Sequence, residues 1–187
     1  MSFKRLPVFV LLFVFTLSSN SISRAETQYG DLANKVVQML EEEHFLQESF
    51  NDKMSQRVLE GYLEMLDFSR IYFTKEDIDG FKARHEATID DQVRNEGIPA
   101  AYEIYKVYQE RVASRVEMAK SLAKPDIFTY DSDRTFQLSR KDAEWAPAGE
   151  EHDQLWENLI EGDLIREKLI ADALAEEEAE ELAEKLE

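Results

Sequence analysis

Cysteine is missing from this sequence altogether, and glycine and proline number only six and four among 187 residues. The first absence removes disulfides, thiolate catalysis and sulfur-ligated metal sites together. The six glycines never cluster. That excludes the Gly-rich loops that cradle phosphates and the Gly-x-Ser-x-Gly turn that presents a serine nucleophile. Cations are scarce too: 22 Lys and Arg stand against 40 Asp and Glu, a net charge of −18. Such a field repels phosphate backbones and anionic lipid, so a nucleic-acid partner is excluded. The acidic surface is then either simply solvated or made for a basic partner.

Long apolar runs are equally rare. The one present, PVFVLLFVFTL at 7–17, is too short to span a bilayer. Lys4 and Arg5 precede it, and Ser23 and Ala25 supply small residues at −3 and −1 of a cleavage site. This predicts a signal peptide over 1–25, cut after Ala25, with an uncleaved anchor as the competing reading. Cleavage leaves 19 basic and 40 acidic residues, a net charge of −21. An exported chain without disulfides must hold together by packing alone, which fits the periplasm. No membrane span is expected after the signal is removed.

What remains is helical. Apolar residues recurring at three and four predict an all-α fold, an irregular bundle of about five helices with one long aromatic-containing loop. The first helix covers 31–45, with Leu32, Val36, Met39 and Leu40 on one face; the second, 52–67, carries Met54, Val58, Leu59, Tyr62, Leu63 and Leu66. The third is expected from Thr74 to Asn95 with Ile78, Phe81, Ile89 and Val93 inward, stopped by Gly97. Pro99 opens the fourth, where its missing N–H costs nothing, and Lys124-Pro125 closes it. Its buried stripe is read as Tyr102, Tyr105, Val112, Val116 and Ala119, leaving Tyr108 partly exposed. The loop 125–149 follows, with 135–139 as a candidate extended segment, and the last helix starts near Glu150. The domain is placed at 26–172 and an acidic helical tail at 173–187.

Two motifs imitate chemistry. HEATI at 85–89 begins like a zinc helix, but Ile89 stands where the second histidine must be, so His85 reads as a solvated helix residue. DSDRTF at 131–136 begins like a calcium loop, but Phe136 replaces the turn glycine and Asp142 is short for a bidentate ligand. Lys120 and Ser121 adjoin only on a helix surface. No catalytic residue, metal ligand or cofactor is therefore assigned.

The junction between the second and third helices is unexpectedly apolar: Ile71, Tyr72 and Phe73 fill it. Thr74 is placed as an N-cap, with Glu76 and Asp77 in the first turn, and Phe73 and Ile78 have the spacing of a hydrophobic staple. The corner is thus expected to point inward, with Tyr72 and Leu66 reaching the core between the two helices.

These same residues carry a resemblance. Tyr62, Leu63, Leu66 and Asp67, then Ile71, Tyr72 and Phe73, then Asp77 and Phe81, resemble the N-terminal helical domain of the tail-specific (carboxy-terminal processing) proteases. RKDAEWAP at 140–147, with Arg140 and Trp145, and DQLW at 153–156, with Leu155 and Trp156, are similar to the family's Arg-x-x-Ala-x-Trp-Pro segment and Leu-Trp helix. Ala146 intervenes between Trp145 and Pro147, and Glu157 and Asn158 stand where the family usually has basic residues. The resemblance covers most of 30–170. It implies a domain that precedes a PDZ domain and a serine–lysine catalytic domain, neither present in these residues. The implied partner is protein: the rest of a protease, or a helical adaptor. The expected role is non-catalytic scaffolding or docking; the alternatives are a fragment of a full periplasmic serine protease and an independent helical binding module.

Overall fold

The structure, a computed structural model, describes residues 28–43, 48–95, 97–124, 127–130, 135, 137 and 139–186, the last with side chains to 179. The signal segment and DSDRT of the calcium-like loop, its threonine apart, lie outside the described residues, as do Phe136 and Leu138. Among the described residues there are six helices and no strand. These are α1 (28–43), α2 (Asp52–Leu66), α3 (Lys75–His85), α4 (Ile89–Asn95), α5 (Pro99–Leu122) and α6 (Glu150–Leu186). They form two compact units: residues up to Tyr62 with Phe81–Ile104, and Leu63–Gly80 with the chain from Tyr105 onward.

In the first unit, Asn51 caps α2, its Oδ1 accepting from the backbone N–H of Lys53 and Met54 at 3.1 and 3.3 Å. Leu59, Phe81 and Ile104 are almost fully enclosed. Gly30 of α1 lies against Gly97; a Cβ on Gly30 would come within 2.8 Å of the Gly97 Cα, so only glycine permits this approach. Gly97 itself adopts φ of 91°, the left-handed conformation that ends α4 and redirects the chain into α5. Arg94 holds the other end of α1: its guanidinium meets Glu41 at 2.8 Å and the Phe50 carbonyl at 2.7 Å.

Two sequence expectations fail here for physical reasons. The segment 75–95 is two helices, broken at 86–88. The Thr88 hydroxyl donates back to the Arg84 carbonyl (3.1 Å), and the turn lets Asp90 meet buried Ser55. His85 is buried rather than solvated, held between Glu103 (2.9 Å) and Gln92 (3.3 Å). The shared face of α1 that carries Leu32, Val36, Met39 and Leu40 is exposed, while Val37 is buried.

In the second unit, α5 and α6 run beside the corner at 67–74. α6 starts at Glu150, directly after Gly149 (φ 90°), with Glu150, Glu151 and Asp153 in its first turn, where the helix dipole favours negative charge. It continues without a break across 172/173 to Leu186. Along α5 the outward tyrosine is Tyr105, 45% exposed, and Val116 is also exposed. Tyr108 is half-buried and packs on Tyr72 and Phe73, with ring centroids 5.5 and 5.7 Å apart.

Candidate functional site

The corner of the second unit is organised by one carboxylate. Asp67 follows the last residue of α2 and is buried. Its Oδ1 accepts the backbone N–H of Ile71 at 2.9 Å; its Oδ2 accepts those of Tyr72 (3.1 Å) and Phe73 (3.0 Å) and the indole N–H of Trp145 (3.0 Å). A chain that leaves a helix and turns inward exposes backbone donors that water cannot reach, and an ionised carboxylate satisfies them more strongly than a neutral acceptor would. Arg70 makes the turn possible by adopting φ of 52°, a left-handed conformation unusual for a side-chain-bearing residue. Its guanidinium donates to the Ala143 carbonyl at 2.5 Å and lies 4.6 Å from the centre of the Trp145 ring.

The exit from the corner is capped as expected, and reciprocally. Thr74 Oγ1 accepts the Asp77 N–H (3.3 Å), while Asp77 Oδ2 accepts the Thr74 N–H (3.0 Å). Asp77 also receives Arg111 through both carboxylate oxygens at 2.8 Å. Burial opposes the charge on Asp77, but the Arg111 guanidinium and the Thr74 N–H outweigh it and hold the carboxyl below its ordinary range. Phe73 and Ile78 are both buried. The Lys75 N–H donates to the Ala146 carbonyl (2.9 Å) and the Ala148 N–H to Glu76 (2.8 Å), stitching the 145–148 segment along the start of α3.

α6 closes the other side. The Ile71 carbonyl accepts two donors at 2.7 Å, the indole N–H of half-buried Trp156 and Nε2–H of buried His152. On the far side of that ring, Arg115 donates to Nδ1 at 2.8 Å and to Asp153 at 2.5 Å. A guanidinium has only donors, so Nδ1 must accept and the proton resides on Nε2: His152 is held neutral. Burial, helped by Arg115, pushes its pKa below the usual histidine value against the pull of the Ile71 carbonyl.

The structure therefore gathers Asp67, Tyr72, Phe73, Asp77, Trp145 and Trp156 at one place, although Asp67 and Trp145 are 78 positions apart. Tyr72 packs on Tyr108 and Trp156 at 5.5 Å, so it meets α5 and α6 rather than a seam between the second and third helices. Tyr62 and Phe81 belong to the first unit, where Tyr62 donates to the Ala101 carbonyl at 3.2 Å and Phe81 is buried. Leu63 is buried and Leu66 half-buried at the end of α2. Arg140 and Leu155 line a separate polar cavity of about 800 Å³, and Arg140 Nη2 donates to the Glu144 carbonyl at 3.0 Å. Sequence reasoning passed over Arg70, Arg111, Arg115 and His152, whose partners are distant or, for Arg70, depend on an unusual φ. The Lys120–Ser121 pair is spent locally: Ser121 donates to the Met118 carbonyl (2.7 Å) and Lys120 pairs with Glu117 (2.8 Å). Among the described residues no group of three His, Asp or Glu side chains is placed to hold a metal ion, and no helix is long and apolar enough to cross a membrane.

What fold and corner define is an all-α domain whose signature side chains hold backbone to backbone around a buried carboxylate. Residues 36–187 match the family model described as the tail specific protease N-terminal domain, and the chain belongs to that family. The "Tail-specific protease" of Haemophilus influenzae is 27% identical over 158 residues, 82% of this chain and 22% of that protein. The chain thus spans about a fifth of the length of the curated relative it matches.

Proposed function

We propose that this chain is a non-catalytic helical module of an exported tail-specific protease system, serving as a scaffold for the proteolytic part or as a docking platform for an adaptor. The observation that carries this reading is how the motif residues are used. Asp67 and Trp156 direct their polar atoms at main-chain groups inside the corner and Trp145 donates to the Asp67 carboxylate, so what the family motif conveys here is a shape rather than a reacting group. Asp77 and Thr74 are likewise engaged with each other and with Arg111. The second reading is that the same module forms the first part of a periplasmic serine protease that degrades proteins from their C-termini; it draws on the 22% share of the relative that the match covers.

Export is part of the proposal, with cleavage after Ala25 and residence in the periplasm; a mature N-terminus at Glu26 by intact mass is the expected result, and one at Met1 overturns it. The scaffolding role is tested by titrating the chain with the Haemophilus influenzae protease stripped of the part that it matches. A saturable one-to-one complex supports the proposal. Absence of any complex, with both components folded by circular dichroism, removes it.

A further inference from the structure

One face of the first unit is an apolar trough of about 590 Å³, walled by α1, α2, α4 and the opening turns of α5. Leu32, Val36, Leu40 and Val58 line it while remaining 55%, 45%, 49% and 42% exposed. Large apolar side chains gathered on one open face mark a surface that gains free energy when something covers it. The walls are fixed before any ligand arrives: the glycine contact at Gly30 and Gly97 anchors one end of α1, and the Arg94 bonds to Glu41 and Phe50 anchor the other.

The charges at the trough say what the cover carries. Among the described residues, only two that line the trough are charged, Glu41 and Glu48, and both are acidic. Arg94 already engages Glu41, whereas Glu48 is exposed at the trough, with Glu42 and Glu43 following on α1. An acidic ligand, a fatty acid included, would set its own charge against these carboxylates in a chain of net charge −18. A second copy of the chain would bring the same acids face to face. A strand has no edge to join, since none is present among the described residues, whereas α1 at 16 residues offers about 24 Å of wall, the length of a partner helix of four to five turns. We infer that this trough docks a cationic amphipathic helix of a partner protein, its apolar side on Leu32, Val36 and Val58 and a Lys or Arg at Glu48. This rests on the docking reading above and names the partner's chemistry.

The probe is a fluorescent peptide of about 18 residues with leucines at i, i+3, i+4 and i+7 and lysines flanking them, titrated against the full chain by anisotropy. Expected is saturable binding, weakened about tenfold by Glu48→Lys, a solvent-exposed charge change that spares the fold. The same peptide with glutamates in place of lysines should regain affinity for the Glu48→Lys variant. Val36→Asp should weaken binding at least about tenfold with an unchanged circular-dichroism spectrum, because Val36 is half-exposed. Affinity unmoved by either substitution, preference of the wild type for the glutamate peptide, no binding of the lysine peptide, or a chain dimer in sedimentation that Val36→Asp dissolves would each overturn the inference. If these fail while the complex with the stripped protease forms, the scaffold reading survives without this site.

Discussion

Asp67→Asn tests the corner most sharply, because the substitution keeps the shape of the side chain and changes only its acceptors. Asp67 is 2% exposed and serves four donors. An asparagine has one oxygen. Placed where Oδ2 stands, it still serves Tyr72, Phe73 and Trp145 and turns its NH2 toward the Ile71 N–H; placed the other way, it abandons three donors. The better orientation strands one buried donor, at about 1–3 kcal/mol. It also converts three charge-assisted bonds to neutral ones of about half the strength. The three weakened bonds add about 2–4 kcal/mol, so the sum is about 3–7 kcal/mol, against a total stability for such domains of about 5–15 kcal/mol. Asp67→Ala strands all four donors and should cost more, at least about 4 kcal/mol. Urea unfolding followed by tryptophan fluorescence reads this directly, since both tryptophans of the chain, Trp145 and Trp156, bond into the corner. The midpoint should fall with the slope unchanged. An Asp67→Asn midpoint equal to that of the wild type would refute the reasoning that this carboxylate holds the turn.

Other perturbations follow from the same geometry. Phe73→Ala removes a ring with no exposed surface and should cost about 3–5 kcal/mol in urea unfolding, whereas Thr74→Ala should cost about 1 kcal/mol, the value of a cap. Gly61 lies inside α2 with open space around its missing Cβ, so Gly61→Ala should stabilise by about 0.5–1 kcal/mol. Gly30→Ala should destabilise by about 1–3 kcal/mol, because the added carbon meets the Gly97 backbone. Equal effects of these two glycine changes on the melting temperature would contradict the packing described. His152 has a folded pKa below its unfolded value near 6.5, so between those two values the unfolded chain binds more protons and stability rises with pH. Its contribution is present above about pH 6.5 and is lost as pH falls toward the lowered folded value. The urea midpoint should drop on acidification through that window, and the drop should shrink in His152→Gln, which keeps a donor toward the Ile71 carbonyl.

Local physics was legible in the sequence and long-range partnership was not. The Thr74 cap, Pro99 at the start of α5 and the beginning of α6 near Glu150 each depend on residues within a turn of one another, and each is found where expected. The break between α3 and α4 carries no glycine or proline; it comes from Thr88 bonding to the Arg84 carbonyl and from the pull of Ser55 on Asp90. Periodicity gave α1 a correct apolar stripe but could not say that the stripe faces outward, since a helix pattern is the same whether its cover lies within the chain or outside it. In the corner, the motif marked Asp67 and Trp145 as belonging to the family, yet nothing in their spacing shows that one accepts a bond from the other. Likewise His152 reads as an ordinary helix residue until α5 brings Arg115 to its Nδ1.

The claim at the centre of the account is that these residues supply shape and no chemistry. Turnover of an unstructured substrate protein with an apolar C-terminus by the purified chain measures it most directly. The account predicts hydrolysis no faster than in a protein-free control. Hydrolysis that copurifies with the chain and disappears in Ser55→Ala or Ser121→Ala would contradict it and give the missing nucleophile its place.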